Sequence, residues 1–261
     1  MVKTFKDKEV KMNDSLFYTF VEGEFGTKDY RMYFLNNLND KPISPFHDIP
    51  TWVNKKFGVV FMVNEIPKGS KYKLEISTDK FLNPIKHDYC QNNEIRKVAI
   101  PYPANYGAIP QTWENPEVID KYTKAKGDND PIDIFDISCI ESGIGSVKKV
   151  KILGIYGLID EGETDWKVIG IDIDDPLHRK LNTFDDIERE MPGKLEEIFT
   201  FLRDYKVYDG KMPNTFAFDG KMMNKHFASD VIDMGNDEWK KLVSNKVKTN
   251  ISTTYNLNKK I

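Results

Sequence analysis

The sequence predicts a mainly β protein of the α+β class, in which a closed barrel is flanked by hairpins and by outer helices. Short runs rich in β-branched and aromatic residues, separated by turn-forming residues, fill the first two-thirds of the chain. The last third changes to a helical period. Hydrophobic residues make up 39% of the 261 residues, enough for a sizeable core. We expect one domain over residues 1–261, with its core over residues 15–244.

Strand-like runs come in pairs along the chain. The runs SLFYTFVEGEF and YRMYFLNN flank a turn at residues 26–29, and FGVVFMVNEIP and KYKLEIST flank a turn at residues 68–70. Each pair predicts a hairpin. Three further runs follow: DIFDIS, VKKVKILGIYGLID and DWKVIGIDID. Short strands joined by hairpins favour a closed barrel over a parallel sheet that alternates with helices.

Two helical stretches are predicted in the last third. In PGKLEEIFTFLRDY, apolar residues recur at i, i+3, i+4 and i+7 from Leu195 to Leu202, and Pro192 suits the first turn. The second stretch covers KMMNKHFASDVIDM and DEWKKLV. Its apolar face contains Phe227, Val231 and Met234. Beyond Ser244 the chain is polar and rich in Asn and Lys, so we expect a mobile tail there.

Charge and composition argue against several classes of function. The 38 basic and 41 acidic residues leave a net charge of −3, which argues against a strongly basic nucleic-acid-binding surface. The four histidines are too far apart to predict a zinc site. No apolar run approaches the ~20 residues of a membrane span, and the N-terminal segment resembles neither a secretory signal nor a transit peptide. We therefore expect a cytoplasmic protein.

The stretch KAKGDNDPIDIFDI carries four carboxylates within nine residues: Asp128, Asp130, Asp133 and Asp136. Like charges at this density repel one another unless a cation lies among them. An EF-hand is excluded, because its positions 5, 6 and 12 are occupied here by Ile132, Asp133 and Cys139. A surface turn decorated with aspartates remains an alternative explanation for this stretch taken alone.

Two other predicted hairpins repeat the combination of carboxylate and lysine. Asp165 and Lys167 are two residues apart on one strand and share a face with each other, near Asp160 on the preceding strand. Glu65, Lys73 and Glu75 form a similar set, and YPANYGAIPQTW adds Tyr102 and Tyr106. Mixed charges on the solvent face of a sheet are the ordinary alternative. The repetition favours a site for Mg²⁺, which carboxylates bind, together with phosphate, which cations and hydroxyls bind.

Four motifs, GDNDPIDI, DEGETDWKVIGIDIDDP, ANYGAIPQTWE and FHDIP, resemble those of the family I soluble inorganic pyrophosphatases in their eukaryotic form. The resemblance covers residues 15–244. It implies a five-stranded OB-like barrel and Mg²⁺-dependent hydrolysis of pyrophosphate to two orthophosphates, with several Mg²⁺ ions in each active site. The implied reaction is in-line attack by a water that the metal has activated, without a covalent enzyme intermediate.

The resemblance also implies roles for individual residues. Asp130 is implied as the base that deprotonates water, and Tyr106 as a further catalytic residue. The implied metal-site residues are Asp128, Asp133, Asp160, Asp165 and Glu75, of which Glu75 acts without direct ligation. The implied phosphate-binding residues are Lys73, Arg96, Tyr106, Lys167, Tyr205 and Lys206, and the remaining cavity positions are Glu65 and Tyr102. Asp136 matches no functional position, and we expect it on the solvent-exposed face of its strand.

One departure from the family pattern concerns assembly. Lys68-Gly69 stands where eukaryotic members have Arg-Trp at a dimer contact, so a homodimer is expected to use an altered interface. Two other functions are weighed against pyrophosphate hydrolysis. One is a metal-dependent nucleotide phosphohydrolase. The other is an OB-fold protein that binds single-stranded nucleic acid, which is disfavoured because carboxylates lining the groove would repel phosphates.

Overall fold

The computed structural model describes residues 16–90, 92–247 and 249–253. Within these residues the strands are, in chain order, β1 (Phe17–Glu22), β2 (Arg31–Asn36), β3 (Pro42–Ile43), β4 (Trp52–Asn54), β5 (Val59–Ile66), β6 (Leu74–Ile76), β7 (Ile85–His87), β8 (Asn105–Ala108), β9 (Lys126–Gly127), β10 (Asp133–Asp136), β11 (Val147–Asp160), β12 (Glu163–Asp172), β13 (Thr215–Phe216) and β14 (Met223–Asn224). The α-helices are α1 (Phe184–Glu190), α2 (Lys194–Asp204) and α3 (Lys225–Val243). No described helix is long and apolar enough to cross a membrane.

Five strands close into a barrel. β5 pairs with β8, β8 with β10, β10 with β12, β12 with β11, and β11 pairs again with β5. Only the β10–β12 pair in this ring is parallel. The ring confirms both the closed barrel predicted from the strand pattern and the five-stranded OB-like form that the resemblance implies.

The barrel strands are buried on both sides. Alternate residues, such as Ile134 on β10 and Val168 on β12, pack in one apolar cluster with residues of α3. Their neighbours Phe135 and Ile169 pack in a second cluster, which also contains residues of α1, α2 and the smaller sheet. Because both faces are covered, a polar residue on either face of β10 is buried.

The smaller sheet has the strand order β1-β2-β7-β6, with β3 paired to β2. Its β1–β2 register runs from Phe17 opposite Asn36 to Glu22 opposite Arg31, which confirms the first predicted hairpin. The second predicted hairpin is wrong: in the described chain β6 pairs with β7, and β5 pairs with β4, β8 and β11. Both edges of β5 are used for barrel closure, so the chain after Ile66 has to pass to the other sheet.

The helices follow the apolar pattern of the sequence with small shifts. α2 begins at Lys194 after an N-cap at Gly193, so Pro192 precedes the helix instead of lying in its first turn. The residues that α2 buries are Leu195, Ile198, Phe201 and Leu202. The sequence did not predict α1, whose start is fixed by reciprocal capping bonds between Thr183 and Asp186.

α3 covers most of the second predicted stretch, whereas residues 221–224 precede the helix and include β14. The predicted apolar face is confirmed at Val231, while Phe227 and Met234 are only half-buried. The residues that α3 buries are Ala228, Val231, Ile232, Gly235, Trp239 and Leu242. The expectation of a mobile tail beyond Ser244 is wrong for residues 249–253. Ile251 is buried, and the Ser252 carbonyl accepts hydrogen bonds from His47 and Asn83. Residues 1–15 and 254–261 lie outside the described chain.

Candidate active site

One cavity of about 220 Å³ collects every residue that the sequence analysis assigned to the site. Its charged and hydroxyl-bearing lining is Glu65, Lys73, Glu75, Asp88, Arg96, Tyr102, Tyr106, Asp128, Asp130, Asp133, Asp160, Glu161, Glu163, Asp165, Lys167, Tyr205 and Lys206. The residues come from the outer side of the barrel, from the smaller sheet and from the end of α2. Asp136 is not among them.

The acidic loop leads into β10 and is held by the segment that contains Glu114. The Glu114 amide donates to the Asp130 carbonyl at 2.9 Å, and the Asn129 amide donates to the Glu114 carbonyl at 2.9 Å. Gly127 is required at this crossing, because a Cβ there would lie 2.3 Å from the Glu114 backbone. These contacts place Asp128 and Asp130 at the cavity and start β10 at Asp133.

The β11–β12 hairpin supplies Asp160, Asp165 and Lys167. Lys167 lies opposite Asp133 in the parallel β10–β12 register and forms ion pairs with Asp133 and Asp165. The Tyr106 hydroxyl, on β8, donates to Asp133 and lies 3.1 Å from the Lys167 ammonium. Alternation along β12 therefore directs Asp165 and Lys167 to one side, as the sequence predicted.

A β-bulge in β5 accounts for the position of Glu65. Asn64 lies opposite Gly107 and Ile66 lies opposite Tyr106, which leaves Glu65 as the extra residue. Its carboxylate accepts a 2.6 Å hydrogen bond from the Ile76 amide, so it ties the barrel to the smaller sheet next to Glu75. Periodicity alone could not locate this bulge.

The end of α2 closes another side of the cavity. The Tyr205 hydroxyl donates to Asp160 at 2.8 Å, and Lys206 forms ion pairs with Asp160 and with Glu161. The mouth carries two more pairs, Arg96 with Asp88 at 3.0 Å and Lys86 with Glu75 at 2.8 Å. Arg96, chosen from the sequence as the phosphate arginine, thus lies at the cavity.

Sequence reasoning missed Glu114. One carboxylate oxygen from each of Glu114, Asp128 and Asp165 lies within 4.8 Å of the others, a spacing that could hold a metal ion. Glu114 Oε1 accepts from the Trp166 amide at 3.0 Å, and within the described chain its buried Oε2 has no hydrogen-bond partner. Glu114 is the last residue of the motif ANYGAIPQTWE, fourteen residues before Asp128, and its place in that motif could have indicated a role in the site.

Several carboxyl groups at the cavity have raised pKa values, as expected for buried negative charges that lack enough neighbouring cations. Burial raises the pKa of Asp165 to about 7, although the Lys167 ammonium opposes the shift. Burial, and then the nearby Asp165 carboxylate, raise the pKa of Asp128 well above the usual range. Burial, and then the Asp128 carboxylate, do the same to the pKa of Glu114. Asp130 reaches solvent at the mouth, yet desolvation by the surrounding protein, with Glu75 nearby, raises its pKa to about 7.

These residues fit a hard divalent cation. The donor set consists of carboxylate oxygens, which Mg²⁺ prefers, and Glu114 Oε2 is a buried acceptor that receives no hydrogen bond from the described residues. Positive charge among the carboxylates would offset the burial and the mutual repulsion that raise their pKa values. The lysines, the arginine and the tyrosines beside these carboxylates can donate hydrogen bonds to phosphate oxygens.

Comparison with known proteins agrees with this chemistry. A sequence model of the family described as "Inorganic pyrophosphatase" matches residues 62–240. An inorganic pyrophosphatase of Dictyostelium discoideum is 47% identical over 252 residues, covering 95% of this chain and 89% of that protein. One from Emericella nidulans is 47% identical over 229 residues, covering 86% of this chain and 79% of that protein.

Solved structures give the same result. Inorganic pyrophosphatase from Schistosoma japonicum superposes with a TM-score of 0.87 at 41% identity, covering 91% of this chain and 86% of that chain. An N-terminally truncated vacuolar soluble pyrophosphatase of Trypanosoma cruzi, solved in complex with PPi, gives a TM-score of 0.83 at 36% identity. That alignment covers 95% of this chain and 98% of the other. On its fold, its cavity and these relatives, the chain belongs to the inorganic pyrophosphatase family.

Proposed function

We propose that this chain is an inorganic diphosphatase, an acid anhydride hydrolase that converts pyrophosphate to two orthophosphates with Mg²⁺ as its cofactor. The observation that carries the proposal is the single cavity in which a carboxylate cluster adjoins lysines, an arginine and tyrosines. Carboxylates gather hard divalent cations, and the other groups gather phosphate oxygens. Such a cavity is complementary to a complex of metal and pyrophosphate.

The residues that would hold several Mg²⁺ ions are Asp128, Asp133, Asp160 and Asp165, with Glu114 added by the structure and Glu75 acting without direct ligation. When bound, magnesium supplies acidification of the attacking water and neutralisation of phosphate charge. Tyr106 and Lys167 hold the Asp133 carboxylate in place through hydrogen bonds and an ion pair.

Asp130 is proposed as the base that accepts the proton of the attacking water. Burial raises its pKa to about 7 in the metal-free protein, and bound cations would lower this pKa, so that the carboxylate is ionised and able to accept a proton at neutral pH. The carboxylate also reaches the cavity mouth, where water enters. The water then attacks one phosphorus in line, and the second phosphate leaves as orthophosphate. Tyr106 contributes its hydroxyl, which donates to Asp133 beside the Lys167 ammonium.

The phosphate-binding residues are proposed to be Lys73, Arg96, Tyr106, Lys167, Tyr205 and Lys206, with Glu65 and Tyr102 shaping the cavity. Lys206 and Tyr205 both bond to Asp160, and Arg96 bonds to Asp88. Phosphate oxygens would compete for these donors as the carboxylates turn to the metal. Charge-assisted bonds of this kind stabilise both the bound substrate and the departing phosphate.

The other two functions fit the cavity less well. A nucleotide phosphohydrolase would need an aromatic or apolar slot for the base, whereas the lining residues Tyr102 and Tyr106 are only 3% and 4% exposed. A protein that binds single-stranded nucleic acid would need exposed stacking aromatics in a basic groove. The carboxylate lining opposes that function, so we infer no nucleic-acid partner.

Assembly and location are part of the same proposal. Lys68 and Gly69 are exposed in a turn, where Gly69 has a φ of 82° and, in the described chain, a Cβ would meet nothing within 4 Å. A dimer would therefore lack an aromatic anchor here and would be weak or use other surfaces. We place the enzyme in the cytoplasm and treat residues 1–261 as one domain.

Orthophosphate release from pyrophosphate, ATP and p-nitrophenyl phosphate, each with and without Mg²⁺, tests the proposal. We expect release from pyrophosphate only, with complete loss in EDTA. Ca²⁺ should bind yet support little turnover, because its looser coordination misplaces the reacting groups. Equal activity on ATP and pyrophosphate would overturn the substrate assignment.

A further inference from the structure

A buried polar network lies inside the barrel, on the opposite side of the barrel wall from the active site. Its members are Asn105 on β8, Asp136 on β10, Lys148 on β11 and Asp172 on β12, exposed by 2%, 0%, 8% and 5%. Asp136 lies two residues from Ile134 and Lys148 two residues from Val150, so these polar side chains point to the same side of the strands as the apolar residues of the barrel interior. Four of the five ring strands therefore meet in one network.

Asp136 is the centre of this network. Its Oδ1 accepts from the backbone amides of Ser138 and Asp172, each at 3.0 Å. Its Oδ2 accepts from the Ser138 hydroxyl at 2.9 Å, from Asn105 Nδ2 at 3.2 Å and from the Lys148 ammonium. Lys148 also pairs with Asp172 at 2.9 Å. The position predicted for Asp136 on the solvent-exposed face is therefore wrong, because both faces of β10 are buried.

The network is joined to the catalytic residues by short stretches of strand. Asp136 and Asp133 are the two ends of β10. Asn105 lies opposite Asp136 in the β8–β10 pair and directly precedes Tyr106, whose hydroxyl bonds to Asp133. β12 carries Asp165 and Lys167 before it reaches Asp172.

This arrangement fixes the register of three strands. With Asp136 opposite Gly170, Asp133 lies opposite Lys167 and the ion pair in the cavity can form. A slip of one residue would turn Asp133 to the other side of the strand. The bonds from Asn105, from Lys148 and from the Asp172 amide oppose that slip and any smaller displacement.

We infer that Asp136, through its bonds to Asn105, Lys148 and Asp172, is a positioning residue for the hydrolytic site: it holds Asp133, Tyr106 and Lys167 in the geometry that binds Mg²⁺ and substrate. This inference rests on the proposed function. A network that served stability alone would change the unfolding midpoint when altered and would leave metal affinity and turnover of the folded enzyme unchanged.

The first test variant is Asp136→Asn, which keeps the volume and removes the charge. Its amide NH₂ would face donors in either orientation: the Lys148 ammonium and Asn105 Nδ2 in place of Oδ2, or the backbone amides of Ser138 and Asp172 in place of Oδ1. We expect a roughly 10- to 100-fold weaker affinity for Mg²⁺ and a fall in kcat of about tenfold or more at saturating Mg²⁺, by analogy with residues that orient metal ligands. Lys148→Met is the second variant, because it leaves the backbone bonds of Asp136 intact and should show smaller changes in the same direction.

The control is Ile232→Ala, an apolar core truncation in α3 that removes no hydrogen bond or ion pair of the network. All variants are assayed well below their unfolding midpoints, for kcat with pyrophosphate and, without substrate, for Mg²⁺ binding by calorimetry. The control should lower the midpoint and keep both quantities within about twofold of wild type.

The inference is overturned if folded Asp136→Asn and Lys148→Met match wild type in both quantities, or if Ile232→Ala loses as much. If Asp136→Asn does not fold, Lys148→Met decides. Failure of wild type to hydrolyse pyrophosphate would refute the proposed function separately, since the Mg²⁺ titrations need no turnover.

Discussion

The barrel holds two carboxylate clusters that differ in how their charges are balanced. At the wall of the active-site cavity, Asp128 and Asp165 lie close to Glu114 behind them, and Glu114 Oε2 has no hydrogen-bond partner among the described residues. Inside the barrel, Asp136 accepts five hydrogen bonds and shares Lys148 with Asp172. A buried carboxylate whose acceptors are satisfied by the protein is a structural group. A buried carboxylate that lacks donors and has a raised pKa marks a place for a cation.

Among variants of the active-site carboxylates, the largest loss of activity is expected for Asp130→Asn. The amide keeps an oxygen and leaves the metal ligands in place, yet it cannot accept a proton, so kcat should fall by about 10²–10⁴-fold. The pH optimum should move upward, because hydroxide would have to come from the acidified water alone. Rates measured against pH and Mg²⁺ concentration check both expectations.

Asp133→Asn is the matched comparison for that variant. Removing this charge should weaken Mg²⁺ binding, and added Mg²⁺ should recover part of the lost rate. If excess Mg²⁺ rescued Asp130→Asn and failed to rescue Asp133→Asn, the roles of base and ligand would have to be exchanged.

Glu114→Gln should have a smaller effect that is specific to the unbalanced cluster. Removing one of three clustered charges should weaken Mg²⁺ binding by about 10- to 100-fold. It should also raise the unfolding midpoint of the metal-free protein, because repulsion with Asp128 is relieved. Calorimetric Mg²⁺ titration and thermal unfolding in EDTA measure the two changes.

Glu238→Gln is the control, since Glu238 bonds to the adjacent Asn115 and to Lys241 outside the cluster. It should leave Mg²⁺ affinity unchanged. A Glu114→Gln protein that binds Mg²⁺ like wild type would remove Glu114 from the metal site.

Sequence alone was sufficient for residues whose position depends on local pattern. Asp165 and Lys167 share a side of β12 because strand residues alternate, and the acidic loop was recognised by its motif. Positions that depend on pairing between distant parts of the chain were harder to predict from the sequence. Glu65 reaches the cavity through a bulge that is defined only against β8. Glu114 lies next to Asp128 because its backbone crosses the acidic loop.

The misplacement of Asp136 has the same origin. Alternation assigns one face of a strand to the core and the other to solvent, which holds for a sheet with one covered face. β10 is covered on both faces, by the barrel interior on one side and by an outer layer on the other. The sequence around Asp136 does not encode its partner Lys148, which is twelve residues away on another strand.

A moderate effect is expected for Lys206→Ala, which removes a buried lysine from the cavity wall. Loss of one charge-assisted bond to phosphate should lower kcat/KM by about 10- to 100-fold, mainly through a higher KM, while the protein stays folded. Lys71→Ala is the control, because Lys71 is exposed and lies outside the cavity. Wild-type behaviour of Lys206→Ala together with a loss in Lys71→Ala would show that the phosphate-binding assignment is shifted.

The smallest effect concerns the stability of the metal-free protein against pH. The pKa of Asp165 is about 7 in the folded protein against 3.8 for an unperturbed group, and those of Asp128 and Glu114 are also raised. Where pH exceeds the unfolded pKa, the folded state binds more protons than the unfolded state, so stability falls as pH rises through the folded pKa.

The histidines contribute little to this pH dependence. The pKa values of the buried His47 and His87 are lowered, so above pH 7 both are neutral in the folded protein and add little to the slope of stability against pH. We therefore expect the unfolding midpoint in EDTA to fall between pH 7 and 8.5, by about 1 °C from Asp165 alone and by more with Asp128 and Glu114. Saturating Mg²⁺ should flatten this dependence, and Glu114→Gln should reduce it, because each relieves the same repulsion. A midpoint in EDTA that stays constant over this range would mean that the cavity carboxylates are as well balanced as Asp136, and the distinction between the two clusters would fail.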